Sequence, residues 1–169
     1  MLCMHKLKGE YGDYYGNRGC YVKVEGGEPY LLLNMEMFHK MKGLSGSHCD
    51  FTYITFKDEE FHIFIVELKN VERSSDESLE EILNKSVEKL RNSLEIIDEF
   101  AKQSLNIRNT RTKKYYAILA LPQHVIDRVK PLLSHFKMKY RSLIKIGYKD
   151  VWITSCGLKI WDKVVPLKK

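Results

Sequence analysis

The chain has 169 residues, 44% of them hydrophobic and 30% charged, and carries a formal net charge of +6. That length supports one domain with a real core and at most a small appendage, and there is no run of about 18 apolar residues to span a membrane. Met1 to Lys6 lack the apolar stretch of a secretory signal, so a cytoplasmic setting is expected, a viral protein inside a host cell included.

Residues 8–19, rich in Gly and Tyr, read as an irregular or partly helical opening, and Cys20 to Glu25 as a strand closed by Gly26-Gly27. Pro29 suits the first turn of a helix and Gly43 its end, so residues 29–42 are expected to be helical, although Tyr30 to Leu33 also fit a strand. A loop, Gly43 to His48, delivers the chain to Asp50. Asp50 to Phe56 reads as a strand, Lys57 to Glu60 as a turn, and Phe61 to Lys69 as the next strand. Ser78 followed by Glu81 has capping-box spacing, and Leu79, Leu83, Val87, Leu90, Leu94, Ile97 and Ala101 continue one helical stripe to about residue 103. Lys114 to Leu121 is a dense apolar run ended by Pro122, so the long helix becomes the crossover between two parallel strands. A helix over 123–136, kinked or restarted at Pro131, and strands at 142–146, 151–155 and 158–165 complete the reading. The expected fold is a single α/β domain, a central mixed sheet flanked by helices, with its core over 29–121 and a helix and strands over 122–169.

The chemistry concentrates at Asp50 and the triplet Glu67-Leu68-Lys69. A side-chain period of two puts Glu67 and Lys69 on one face of their strand and Leu68 on the other. An adjacent strand opening with Asp50 brings a second carboxylate beside them. Two carboxylates and an ammonium at the edge of an apolar sheet are costly for a core but suited to a divalent metal and a phosphate.

This arrangement of an aspartate, a hairpin, Glu-Leu-Lys, a long helix and a parallel strand resembles the PD-(D/E)xK nuclease superfamily over roughly residues 29–121. Cys49 stands where the motif's name has proline. No other Asp or Glu in the chain is followed two positions later by Lys. The loop Ser45-Gly46-Ser47 is similar to the serine-bearing loop of archaeal Holliday-junction resolvases. The resemblance implies a restriction-endonuclease-like core and Mg²⁺ or Mn²⁺ held by Asp50, Glu67 and the Leu68 carbonyl. It further implies that Lys69 orients the attacking water, and that a helix carboxylate, Glu36 or alternatively Glu10, joins them. Ser47, His48, Lys85, Lys89, Arg111 and Lys113 are the candidate nucleic-acid contacts. DNA is the expected partner, RNA is compatible, and a homodimer would allow two cuts in a duplex.

Blander readings stand beside these. Glu67 and Lys69 also fit a surface ion pair at a strand end, and the fold also fits a nonenzymatic nucleic-acid-binding module with a degenerate site. Basic residues gather late, at Arg108, Arg111, Lys113, Lys114, Lys137, Lys139, Arg141, Lys145 and Lys149, with Tyr115, Tyr116, Tyr140 and Tyr148 interleaved. They read as a phosphate-tracking face or as solvated surface. Abundant charge with Gln only at 103 and 123 resembles thermophile composition. The cysteines at 3, 20, 49 and 156 show no C-x-x-C spacing, so a zinc site is not expected and reduced thiols are. Cys49 is expected to point into the core, and the methionines at 35, 37 and 41 to pack there.

Overall fold

In the computed structural model, the described residues are 14–17, 20–23, 31–57, 59–69, 78–104, 113–130, 133–156 and 165–166. A hairpin of β1 (Tyr14–Asn17) and β2 (Cys20–Lys23) precedes the main sheet. The segment expected to be irregular or partly helical thus supplies a strand. The main sheet has the order β3 (Leu31–Asn34), β4 (Phe51–Lys57), β5 (Glu60–Leu68), β6 (Lys113–Leu121), β7 (Tyr148–Ser155) and β8 (Val165–Pro166). Its helices are α1 (Met35–Lys42), α2 (Leu79–Ser104), α3 (Gln123–Val129) and α4 (Leu133–Ile146). Strand β4 runs antiparallel to both of its neighbours, β3 and β5, whereas β6 joins β5, and β7 joins β6, in parallel. The sheet is therefore mixed, with α2 as the connection between β5 and β6.

Two of the expected elements change. The helix placed over 29–42 begins only at Met35, and Leu31–Asn34 is an edge strand. The cause lies in Leu31, Leu32 and Leu33, all buried: Leu31 and Leu33 enter one core cluster and Leu32 the other. A strand buried on both faces uses every residue of such a run. Asn34 then caps the helix by accepting the Met37 N–H at 3.1 Å, and Gly43 ends it at φ +63°, a left-handed cap glycine adopts without strain. Residues 142–146, expected as a strand, are the last turn of α4; Tyr140 and Leu143 are buried while Ile144 and Ile146 stand in solvent, which is a helical period. The helix expected over 123–136, kinked or restarted at Pro131, is restarted there: α3 ends at Val129 and α4 starts at Leu133 and runs on to Ile146. Of residues 158–165 only Val165 is described, as a strand residue in β8.

Helix α2 follows its sequence closely. The Ser78 Oγ accepts the Glu81 N–H at 3.1 Å while Glu81 accepts the Ser78 N–H at 2.9 Å. Ile82, Leu83, Leu90, Leu94, Ile97 and Ala101 form the buried stripe that covers Ile63 and Ile65 of β5 and Ala117 and Leu119 of β6. Each Leu and Ile among those side chains contributes about 1.5–3 kcal/mol through burial, an upper estimate since the unfolded chain is not fully extended.

Among the described residues all four helices contribute to this one cluster, and the second cluster contains only strand residues. The helices thus lie on one face of the sheet rather than flanking it. The other face carries an aromatic row: Tyr53 on Phe64 (4.6 Å), Phe64 on Tyr116 (4.9 Å) and Tyr116 on Trp152 (5.0 Å). Trp152 is packed here, and Trp161 lies outside the described residues. Met35 is fully buried, but Met41, expected in the core, is 65% exposed because the eight-residue helix turns it outward. Cys49 is a free, buried thiol as expected, while Cys156 is disulfide-bonded rather than reduced, its partner lying outside the described side chains. No helix among the described residues is long and apolar enough to cross a membrane.

Candidate active site

Strand register sets the site. Phe51 pairs with Val66 and Thr52 with Ile65, so the ladder continued by one residue places Asp50 opposite Glu67. Both side chains share the helix-covered face with Ile54, Ile63 and Ile65. Three hydrogen bonds hold Asp50. Its N–H donates to the Val66 carbonyl (3.1 Å), its carbonyl accepts the Met35 N–H (3.1 Å), and its Oδ2 accepts the Leu68 N–H at 2.7 Å. The start of α1, the start of β4 and the end of β5 therefore meet at this residue.

Glu67 is 1% exposed. Its Oε1 accepts the Lys89 ammonium at 2.7 Å, whereas its Oε2 is buried with no hydrogen-bond partner. Burial, and then the adjacent Asp50 carboxylate, push Glu67 up to about 8, well above its usual 4.5, against the opposing pull of Lys89. Lys89 is itself partly desolvated, which lowers its pKa, but the bond to Glu67 and the charges of Glu67 and Asp50 outweigh that and hold it above its ordinary value. Leu68 turns its side chain into the opposite core cluster. Lys69 follows the last residue of β5, half-buried, with its N–H donating to the Ala120 carbonyl at 3.0 Å.

This is a fitting place for a cation. An orphaned buried carboxylate oxygen, two carboxylates pressed together and a half-buried aspartate at a sheet end each cost free energy that a divalent ion would offset. The oxygen donors suit Mg²⁺ or Mn²⁺. Among the described residues no three His, Cys, Asp or Glu side chains cluster as a metal site, so backbone carbonyl and water would complete the coordination.

The remaining sequence candidates are distributed unevenly. Glu36 is exposed in the first turn of α1, where Lys40 holds its carboxyl below the usual range through a 2.6 Å bond; no described contact joins it to Asp50 or Glu67. Its place follows from the shifted helix start, and Glu10 lies outside the described residues. Ser47 is tied to α2, accepting from the Asn92 amide at 2.9 Å and donating to Glu88 at 3.4 Å. His48 lies against His39, ring centroids 4.1 Å apart, and its Nδ1 is 3.0 Å from the Cys49 carbonyl. His39 is 4% exposed, and burial lowers its pKa.

Lys85 is exposed one turn before Lys89 on α2. Lys89, expected as a nucleic-acid contact, reaches into the carboxylate pair. Lys113 does not offer its charge to a phosphate: its side chain is 4% exposed and bonded to Asp98 at 2.8 Å. Arg111 lies outside the described residues. Tyr115, Tyr116, Tyr140 and Tyr148 are all buried, so they do not form an aromatic binding face beside the basic residues. Arg141, Lys145 and Lys149 do stand in solvent.

Asn92, Glu88 and Ser93 were not singled out by sequence. Ser93 is buried and its Oγ accepts the Cys49 N–H at 2.8 Å, so this side of α2 fixes the loop that ends in Asp50. The signal available was a polar stripe of Lys85, Glu88, Lys89 and Asn92 on an otherwise apolar-backed helix, which solvation alone also explains. Comparison with known proteins finds no matching family model, no matching curated protein and no matching solved structure.

Proposed function

We propose that this protein is a divalent-metal-dependent nuclease hydrolysing DNA phosphodiester bonds, on a core like that of the PD-(D/E)xK superfamily. The observation that carries the reading is the buried Glu67, its Oε2 without a partner, beside Asp50 where two interior strands of a mixed sheet end. A surface ion pair at a strand end does not bury its carboxylate in this way. The antiparallel β3–β4–β5 order followed by a helix and a parallel strand supports the same reading.

Asp50 and Glu67 would hold the ion, with the Leu68 carbonyl as a backbone ligand. Bound there, Mg²⁺ or Mn²⁺ would activate a water and neutralise charge on the scissile phosphate. Lys69 would orient that water or stabilise the charge that builds on the phosphate. The Leu68 N–H keeps Asp50 aimed at Glu67. Arg141, Lys145 and Lys149 supply exposed positive charge for the nucleic-acid backbone, with RNA as a further substrate class and a homodimer as the form that would cut both strands. The bond from Lys89 to Glu67 favours a second reading, a degenerate site neutralised from within and a domain that binds nucleic acid without cutting it.

Cleavage of labelled linear duplex, single-stranded and four-way-junction DNA with Mg²⁺ or Mn²⁺ separates the two. The nuclease reading expects metal-dependent cutting by the wild type and none by folded Asp50→Ala or Glu67→Ala. Salt-sensitive DNA binding that persists in both variants, with no cutting by the wild type, would replace it with the binding module.

A further inference from the structure

We infer that Lys89 is the resident counter-cation of the carboxylate pair: it holds Oε1 of Glu67 in the metal-free protein, yields that oxygen to a divalent ion, and thereby sets the affinity for metal. The inference rests on the proposed metal site and deepens it. Lys89 and Glu67 lie 22 residues apart in the chain and meet at 2.7 Å across the α2–β5 interface, so the contact is built by the fold. The two ends differ in freedom. Glu67 is fixed in a strand at 1% exposure, whereas the Lys89 side chain is 34% exposed on a helix flank. A lysine ammonium rides on a flexible four-carbon stem with three rotatable donors, so it can leave a carboxylate for solvent without disturbing the backbone.

Position makes the exchange competitive rather than additive. The ammonium occupies one oxygen of Glu67, and the other is buried and unpartnered beside Asp50. A divalent ion drawing on both carboxylates would sit within a few ångströms of the ammonium, where like charges in a partly buried site repel strongly. Lys89 therefore opposes metal loading while holding one oxygen of the buried Glu67 before loading occurs. It is a positioning residue, acting through Glu67.

The test measures Mn²⁺ affinity by calorimetry on the full chain at one fixed pH for wild type, Lys89→Met, Lys89→Gln, Lys89→Arg and Asp50→Ala. Removing the charge should tighten Mn²⁺ binding roughly tenfold or more in Lys89→Met and Lys89→Gln, the gain expected when a close like charge is deleted. Lys89→Gln keeps an amide donor for Glu67 should Lys89→Met fold poorly, and Lys89→Arg should bind as the wild type does. Unchanged or weaker binding in both neutral variants, with the wild type still binding in an Asp50-dependent way, overturns the role of Lys89 alone. Absence of Asp50-dependent Mn²⁺ binding in the wild type overturns this inference together with the metal site.

Discussion

Replacing Glu67 with Gln should stabilise the metal-free protein at alkaline pH and not at acid pH. The folded chain keeps the Glu67 proton until about pH 8, whereas an unfolded glutamate releases it near 4.5. Between those values the unfolded state binds fewer protons, so the free energy of unfolding falls as pH rises. At about 1.4 kcal/mol per pH unit, the cost at pH 7 approaches about 3 kcal/mol, and about 5 kcal/mol is the ceiling above pH 8. Gln removes that cost and keeps an amide oxygen to accept from Lys89 as the protonated carboxyl does, the pull of Lys89 being already contained in the shift to about 8. The expected balance is a gain of roughly 4 kcal/mol at pH 8 and of less than about 1 kcal/mol at pH 5. Urea unfolding of both proteins in EDTA at pH 5, 6, 7 and 8 reads the difference, and titrations common to the two chains cancel. A Gln variant destabilised by the same amount at every pH would refute the reasoning, since Glu67 would then enter and leave the fold with one ionisation state.

Burial alone would raise Asp98, but hydrogen bonds from Lys102, Lys113 and Tyr115 outweigh it and hold the carboxyl down to about 2. Its stabilisation is present above its unfolded value and is lost as pH falls through about 2; discounted for its 30% exposure, it amounts to about 1–2 kcal/mol. Asp98→Asn should therefore lower the urea midpoint at pH 7 and have little effect near pH 2, and equal loss at both would contradict the pairing. Ser78→Ala removes the cap of α2 and should cost about 1 kcal/mol, read as a fall of about 2–4 °C in Tm. An unchanged Tm would show that the capping box adds nothing to α2.

The parts of this fold that could be read from sequence are those where local pattern and tertiary demand agree. The α2 stripe and its capping box, the two strands around residues 58 and 59, and the apolar run of β6 all belong to that class. The misreadings arose where one signal fitted two states. Leu31 to Leu33 satisfies a helical stripe as well as a doubly buried strand, and only pairing with β4 decides between them. Residues 142–146 alternate enough to resemble a strand, but the contact of Leu143 with the helix-covered core makes them helical. At the candidate site, the juxtaposition of Asp50 and Glu67 was legible because the two apolar runs and the turn between them fix the hairpin register. Lys89 was not, because a lysine on a helix flank looks the same whether it meets water or a carboxylate 22 residues away. Lys113 misled for the converse reason: a basic cluster in sequence gives no sign that Asp98, on α2, neutralises one of its members.

The central claim is that Asp50 and Glu67 share one divalent cation. Anomalous diffraction from crystals soaked in Mn²⁺, collected for wild type and for Glu67→Gln, tests it most directly. The account predicts a single anomalous peak between the Asp50 and Glu67 carboxylates, lost in Glu67→Gln. A wild-type map without that peak, at Mn²⁺ levels that occupy other carboxylates on the same molecule, would contradict it.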